Sequence, residues 1–200
     1  MEVIAMTPHH DQKIMASSKA PTQLRPLSRY ITAHDEHGKA TISRAIAPGA
    51  PVKDINNGAL KFSLMYTNER LPQLSNNADI DAYQSYLSTP PGITIAEGSV
   101  CRVCDYPPGY LTPMHRTVSL DYGVVLEGEI ELVLDSGETQ HLHRGDTVVQ
   151  RGTNHAWRNV SPDGGWARMF YVLQTSLPLT LANGKTLLGD DGGIDRGAKM

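Results

Sequence analysis

Hydrophobic and polar residues alternate in short runs along most of this chain, a pattern typical of β-strands with one face in a core. Between residues 92 and 177 these runs are about 5–8 residues long and are separated by turns rich in Gly, Asp, Ser and Pro. Strands of this length and spacing predict an all-β sandwich or barrel, and we expect a closed jelly roll. Upstream, residues 29–46 predict a hairpin and residues 60–66 a further strand.

One segment has the signature of a helix. Residues 78–88, ADIDAYQSYLS, begin with acidic side chains, carry apolar residues at helical spacing and stop before two prolines. We therefore expect a single short helix in a chain of four regions. These are a flexible arm over 1–26, a strand-rich extension with the helix over 27–91, the barrel over 92–180, and a tail over 181–200 that begins with a short strand or turn and ends loosely.

Three side chains of the predicted barrel are of types that bind divalent metals, namely His115, Asp121 and His155. If residues 114–126 form one strand, His115, Thr117 and Asp121 point to the same face. Two imidazoles and one carboxylate aimed into a barrel leave open positions on a metal for water, oxygen or substrate.

The stretch GYLTPMHRTVSLDYGVVLEG resembles the first motif of the cupin family, with Gly109, His115 and Gly128 in register. Thr117 stands where the family has a second His, and Asp121 stands where it has Glu. The resemblance therefore implies a metal site with one imidazole fewer than usual and with the shorter carboxylate.

The stretch GDTVVQRGTNHAWRN resembles the second cupin motif and retains His155 and Asn159, with Arg151 in the position of a proline. The 16 residues between Gly128 and Gly145 suit the short spacer of small single-domain cupins. The resemblance implies a double-stranded β-helix barrel of the cupin-2 type. The wider sequence is similar to cupin-domain proteins of fungal secondary-metabolite clusters, several of which are described as oxidoreductases.

The predicted catalytic group consists of the three metal-binding candidates His115, Asp121 and His155 together with Tyr122 as a proton donor. Substrate contacts are expected from side chains of the same two motifs: Arg116, Thr117, Arg151 and Trp157. An arginine would hold a carboxylate or enolate, and the indole would form one wall of an aromatic site. Arg116 and Tyr122 have the opposite parity to the ligands, so an outward structural position is the alternative for both.

The cofactor implied is a divalent metal ion. Fe(II) is favoured by the resemblance, Zn and Mn are alternatives, and a metal-free acid–base cluster stays open. With Fe(II), the barrel predicts an oxidoreductase or oxygenase acting on a small oxygen-bearing metabolite, aromatic or polyketide-like. The second candidate is a lyase (decarboxylase or dehydratase) or isomerase, and the third is a barrel that only binds a metabolite.

Charge and hydropathy narrow the choice of partners. Lys and Arg total 18 against 21 Asp and Glu, a net charge of -3, so there is no basic field for nucleic acid. No apolar run approaches the ~20 residues of a membrane span, and we expect a cytoplasmic protein with a small-molecule substrate. A homodimer is expected as well, because the strands before the barrel would cover a sheet edge or pair with a neighbour.

Two further pairs of residues look like ligand pairs but have ordinary explanations. Cys101 and Cys104 are three residues apart, so on a strand they point to opposite faces and are expected to be reduced thiols. His141 and His143 flank Leu142, which should face the core, so both imidazoles are expected at the surface.

Overall fold

The fold is described by a computed structural model that covers residues 24–194. Most of the predicted arm and the last residues of the predicted tail lie outside these described residues. The described strands are β1 Thr32–His34, β2 Ala40–Ile42, β3 Val52–Ile55, β4 Leu60–Asn68, β5 Ser99–Tyr106, β6 Ser119–Glu127, β7 Ile130–Leu134, β8 Thr139–Leu142, β9 Thr147–Arg151, β10 His155–Asn159, β11 Ala167–Thr175, β12 Leu179–Thr180 and β13 Thr186–Leu187. One α-helix, α1 (Ala78–Ser88), and two 3₁₀ turns, Ser75–Asn77 and Pro162–Gly164, complete the described elements.

Two antiparallel sheets face each other and form the jelly roll, which confirms the predicted fold class. The larger sheet has the order β3-β4-β5-β11-β6-β9, and the smaller has the order β10-β7-β8. Apolar side chains from both sheets meet between them and form the core, among them Leu60, Val100, Val125, Ile130, Trp157, Met169 and Leu173. Burial of these side chains is the main force that holds the two sheets together.

The predicted extension is built into the barrel. Its strands β3 and β4 pair with each other and, through β4, with β5 of the larger sheet. The predicted first hairpin is confirmed as the antiparallel pair β1–β2. Among residues 24–194, β3 lies at one edge of the larger sheet and pairs on one side only, with β4. The expected homodimer stays a prediction.

Helix α1 is confirmed with the predicted bounds and packs on the outer face of β4. The Tyr83 hydroxyl donates to the Leu64 carbonyl at 2.9 Å, and the Arg29 guanidinium lies 5.0 Å from the centre of the Tyr83 ring. The Tyr66 hydroxyl donates to the Asp79 carboxylate at 2.6 Å in the first turn of the helix. Within residues 24–194 no helix is long and apolar enough to cross a membrane.

Strand β4 departs from simple alternation. Its pairing with β5 slips between Leu64 and Tyr66, which marks a β-bulge. Phe62 and Leu64 therefore face the interior, whereas Tyr66 lies on the outer face with its ring centre 4.6 Å from that of Tyr83. The bulge therefore places Tyr66 on the face opposite to Phe62 and Leu64, within the strand that the sequence predicts.

The expectation of one continuous strand over residues 114–126 is wrong. Residues 111–116 pair with β10 of the smaller sheet, through the bridges Leu111↔Arg158 and His115↔His155. The chain then crosses to the larger sheet, where β6 begins at Ser119. Two different sheets thus carry the two halves of the first motif.

The C-terminal part is more ordered than the predicted loose tail. Strands β12 and β13 form a short hairpin, and the backbones of Arg116 and Asp190 exchange hydrogen bonds of 2.6 and 2.9 Å. Ile194 is buried in the core. The short strand predicted near the start of the tail is present as β13, whereas residues 188–194 differ from the predicted loose end, because Ile194 packs into the core.

A buried ion pair joins the two central strands of the larger sheet. Arg168 on β11 donates from Nε and Nη2 to the two carboxylate oxygens of Asp105 on β5, at 2.6 and 2.7 Å. Both side chains are 7% exposed, and Arg168 Nη1 also donates to the Arg25 carbonyl at 2.9 Å. Removal of either charge would leave the other buried and uncompensated.

We expect Asp105→Ala to lower the free energy of unfolding by about 3–5 kcal/mol, because the Arg168 charge would stay buried without its partner. Urea unfolding measures the change. As a control, Asp54→Ala removes an ion pair with Lys61 whose carboxylate is 62% exposed, and it should cost less than about 1 kcal/mol. Equal effects of the two substitutions would contradict the role of the buried pair.

Candidate functional site

A cavity of about 210 Å³ lies between the two sheets. This is smaller than the roughly 300–1,000 Å³ of sites for drug-sized ligands, so it suits a small molecule. Most of its wall is apolar, with contributions from both sheets, from the extension and from the C-terminal segment: Ile55, Leu60, Phe62, Leu64, Val148, Trp157, Leu173 and Ile194. The segment 90–93 lines the cavity as well.

His115 and His155 lie side by side in this cavity. The backbone N–H of each donates to the carbonyl of the other, both at 2.9 Å. Their ring centres are 4.3 Å apart and the rings are tilted by 46°. Both side chains are buried. The antiparallel bridge thus fixes two imidazoles next to each other, as the predicted site requires.

Backbone carbonyls set the tautomer of both rings. Nδ1 of His115 lies 2.9 Å from the Pro113 carbonyl, and Nδ1 of His155 lies 3.0 Å from the Thr153 carbonyl. Because a carbonyl can only accept, each Nδ1 carries a proton, and in the neutral form of each ring the lone pair is on Nε2. Burial, and then the neighbouring His115, lower the pKa of His155 to about 3. The His155 ring is therefore neutral at neutral pH.

Asp121 lies at the end of a short chain of hydroxyl groups. Ser119 Oγ donates to Thr117 Oγ1 at 2.8 Å, and Thr117 Oγ1 donates to Asp121 Oδ2 at 3.4 Å. Burial raises the pKa of Asp121 to about 6, although hydrogen bonds from Ser119 and Thr117 and the positive charge of Arg102 act in the opposite direction. A carboxyl group with this pKa can both release and accept a proton near neutral pH.

Gln150 lies directly opposite Asp121 in the antiparallel register of β6 and β9. Directly opposite residues point to the same face of a sheet, and both side chains line the cavity. Gln150 is 4% exposed and Asp121 is 5% exposed. Within residues 24–194, Asp121 Oδ1 and Gln150 Nε2 have no hydrogen-bond partner. Buried polar atoms are normally paired, so an acceptor and a donor left unpaired on facing residues indicate a ligand-binding position.

The structure brings five of the eight predicted site residues to the cavity: His115, Thr117, Asp121, His155 and Trp157. The ring of Trp157 meets that of His155 edge-on at 5.2 Å, so the indole both lines the cavity and packs against the imidazole.

The other three predicted residues lie outside the cavity, and these predictions are corrected. Tyr122 is 45% exposed on the outer face of β6, because its neighbour Asp121 takes the inward position. Arg116 has its guanidinium 3.9 Å from the Asp135 carboxylate, and Arg151 is exposed. Strand parity explains all three, since each has the parity opposite to the cavity-lining residues of its segment.

In the predicted metal centre, the two imidazoles and the carboxylate differ in how well they fit a metal ion. The two imidazoles fit a metal site, because each Nδ1 is held by a carbonyl and each Nε2 has the lone pair. Within residues 24–194, however, one group of three His, Cys, Asp or Glu side chains has its ligand atoms within 4.8 Å of one another. This group is Glu129, His141 and His143. The ligand atoms of His115, Asp121 and His155 do not all lie within 4.8 Å of one another in this arrangement, and the predicted three-ligand centre stays a prediction.

Several cavity residues escaped the sequence analysis, among them Arg102, Cys104, Tyr106, Gln150 and Tyr171. Arg102 donates to the Gly92 carbonyl at 2.7 Å and so holds the segment 90–93 at the cavity wall. The alternation of Arg102, Cys104 and Tyr106 on β5 was the signal that could have found three of them. The position of Gln150 opposite Asp121 could not be predicted from the sequence, because it depends on the register of β6 and β9.

The two other pairs are placed as predicted. Cys101 and Cys104 are free thiols, and only Cys104 lines the cavity. Burial raises the pKa of Cys101 to about 11 and that of Cys104 to about 12, so neither is a reactive thiolate at neutral pH. His141 and His143 are exposed, which confirms the predicted surface pair.

Comparison with known proteins gives a consistent family match. The sequence profile of the cupin domain matches residues 102–172. The phomopsin biosynthesis cluster protein C' of Diaporthe leptostromiformis is 47% identical over 182 residues, which cover 90% of this chain and 95% of that relative. A cupin-domain-containing oxidoreductase of Hypocrea virens is 38% identical over 159 residues, which cover 79% of this chain and 80% of that relative.

Among solved structures, the cupin domain of Schizosaccharomyces pombe Cnp3 aligns with a TM-score of 0.46 and 13% identity. The alignment covers 76% of this chain and 90% of that structure.

The raised pKa of Asp121 predicts a pH-dependent stability. Its folded-state pKa is about 6 against an ordinary 3.8, so its contribution to stability is complete below pH 3.8 and is lost as the pH rises through about 6. Asp121→Asn stays neutral, so its stability relative to wild type should rise by roughly 1–3 kcal/mol between pH 4 and pH 8. Urea unfolding across this range measures the difference.

Asp135→Asn is the control for that series, because the Asp135 side chain is 55% exposed. This exposed carboxyl group is the reference against which the pH dependence of Asp121→Asn is judged. If the stability difference between Asp121→Asn and wild type did not change between pH 4 and pH 8, the Asp121 carboxyl group would not be desolvated as described.

Proposed function

The chain belongs to the cupin family, and we propose that it is a cupin-type oxidoreductase of secondary metabolism that converts a small oxygen-bearing molecule inside the barrel. Relatives named as biosynthesis-cluster proteins and as cupin-domain-containing oxidoreductases support this class of reaction. The observation that carries the proposal is the cavity itself, where the carboxyl group of Asp121, with its raised pKa and its unpaired Oδ1, faces the unpaired amide donor of Gln150.

The unpaired atoms suggest the chemistry of the substrate. Asp121 Oδ1 accepts a hydrogen bond, so it suits a hydroxyl or an enol of the ligand, whereas Gln150 Nε2 donates and suits a carbonyl oxygen. A molecule with a hydroxyl and a carbonyl a few bonds apart would satisfy both atoms. The apolar wall and the indole of Trp157 would contact its aromatic or aliphatic remainder. Aromatic and polyketide-like hydroxy ketones have this combination.

The same groups define a proton-transfer step. Asp121 in its ionised form would take the proton from the substrate hydroxyl or from the carbon next to the carbonyl. The Gln150 amide would hold the enolate oxygen that develops, and the hydroxyl of Thr117 would stabilise the carboxylate through its hydrogen bond. An enolate or phenolate is electron-rich, so it is the form from which an oxidant removes electrons. We propose dissolved oxygen as the oxidant: the substrate loses two electrons and two protons in all, one of the protons through Asp121, and oxygen is reduced to hydrogen peroxide.

A lyase or isomerase is the second candidate, and the raised pKa of Asp121 favours it, because proton transfer alone is sufficient for those reactions. Mass analysis of the product separates the classes. Oxidation removes two hydrogens or adds oxygen, a lyase removes water or carbon dioxide, and an isomerase leaves the mass unchanged. A metabolite that binds without any turnover would indicate the third candidate, a binding protein.

We expect the barrel to bind 2-hydroxyacetophenone at least about tenfold more tightly than acetophenone, because only the first ligand offers a hydroxyl donor for Asp121 as well as a carbonyl for Gln150. Isothermal titration calorimetry measures both affinities. In Gln150→Leu the affinity for the hydroxy ketone should fall about tenfold through loss of the amide donor.

Val149→Ala is the matched control for Gln150→Leu. Val149 is the preceding residue of β9 and is 51% exposed, so its truncation should leave both affinities unchanged. Equal affinities for the two ketones in the wild-type protein would argue against the proposed polar pair.

Once a substrate that turns over has been identified from such hydroxy ketones, Asp121→Asn should lower kcat/KM by about 10²–10⁴-fold, because the variant lacks the base. In the wild-type protein the rate should fall as the pH drops through about 6, where Asp121 becomes protonated. Oxygen uptake and product mass are the readouts. Full activity of the Asn variant would remove Asp121 from the mechanism.

A further inference from the structure

A second cluster of ligating side chains lies on the outside of the barrel, away from the cavity. Glu129 lies in the two-residue connection between β6 and β7, His141 lies on β8, and His143 follows the end of β8. One ligand atom from each lies within 4.8 Å of the other two. Two imidazole nitrogens and one carboxylate oxygen are a donor set that Zn, Cu and Ni accept. We propose that these three residues form a surface site for a first-row divalent cation such as Zn(II).

The strongest indication is the contact between the first two residues. Nε2 of His141 lies 2.8 Å from Glu129 Oε2, so a single proton joins these two atoms. A zinc ion with its ligands about 2.0–2.1 Å away would take the place of that proton after a small separation of the two side chains. The imidazoles of His141 and His143 are stacked with their centres 4.6 Å apart at 15°. Because the lone pair of an imidazole lies in the plane of its ring, the exposed ring of His143 would rotate out of this stack to reach the same ion.

The backbone beneath the cluster is firmly held. Glu129 N–H donates to Ser161 Oγ at 2.9 Å, and the Glu129 carbonyl accepts from Val160 N–H at 3.1 Å. Before it, Gly128 has a φ of +71°, and a Cβ there would come within 2.8 Å of the Trp166 carbonyl. This turn therefore tolerates little change, and it keeps the Glu129 side chain beside β8.

The carboxylate of Asp146 lies next to the third imidazole and is outside the ligand set. Its Oδ2 accepts from the backbone N–H of His143 at 2.8 Å and is 3.6 Å from His143 Nδ1, which is longer than a hydrogen bond. A rotation of the ring on metal binding would let Nδ1 donate to this carboxylate and would leave Nε2 for the ion. A bound ion would link the β6–β7 turn to the end of β8 and would stabilise the edge of the smaller sheet.

Zinc titration of the full-length protein, stripped of metal with a chelator, tests this site. Isothermal titration calorimetry at pH 7.4 should give one Zn(II) per chain, and elemental analysis after gel filtration should find the same ratio. His141→Gln and Glu129→Gln should each weaken binding about tenfold or more, since loss of even an indirect contact to a metal costs this much. In Co(II)-loaded protein, both substitutions should remove the visible bands of a four-coordinate ion.

Three controls decide between this site and others. The double variant His115→Ala/His155→Ala should keep the zinc, and so should His34→Gln in the exposed first hairpin and the double variant His9→Gln/His10→Gln. Zinc binding that survives both His141→Gln and Glu129→Gln, or that disappears in any of the three controls, would overturn the proposal. Because the cavity residues are untouched in the surface variants, substrate binding in the barrel stays an independent measurement.

Discussion

The candidate site depends on one pair of backbone hydrogen bonds, those that His115 and His155 exchange at 2.9 Å. They join the segment 111–116 to β10, just before the chain crosses from the smaller sheet to the larger one. Two consequences follow. The imidazoles of both residues are held side by side, and the next inward positions, Thr117, Ser119 and Asp121, come to the same interior. The sheet crossing therefore brings the imidazoles and the carboxyl group into one cavity.

The chemistry and the shape of the cavity come from different parts of the chain. The polar groups Asp121, Gln150, His115 and His155 all lie within the region that matches the cupin profile. Much of the apolar wall comes from outside it, from β3 and β4, from the segment 90–93 and from Ile194. Arg102 connects the two parts, since it donates to the Gly92 carbonyl and lies 5.4 Å from the centre of the Phe62 ring. Changes in the extension can therefore alter which ligand fits while the reacting groups stay in place.

Sequence reasoning found the parts of the molecule that depend on local pattern. Strand alternation and turn residues predicted the jelly roll, and the 78–88 pattern predicted α1 with its bounds. For Tyr122 the sequence left two alternatives, an inward catalytic position and the outward position that strand parity favours. The structure places the side chain outward. The features that the sequence did not predict depend on contacts between residues that are far apart in the chain. The sheet crossing after Arg116 and the bulge beyond Leu64 leave no local signature, and the meeting of Asp121 with Gln150 depends on the register of two strands separated by two others in the chain.

Asp121 and Gln150 are proposed to bind the polar end of a small ligand in the barrel. A crystal structure of the protein with 2-hydroxyacetophenone would show this contact. We expect the ligand hydroxyl within hydrogen-bond distance of the Asp121 carboxylate and the ligand carbonyl at the Gln150 amide, with the ring against Trp157. Two results would contradict this proposal. One is a ligand bound elsewhere, and the other is a metal ion bound by Asp121 together with both imidazoles, with no contact between Asp121 and the ligand.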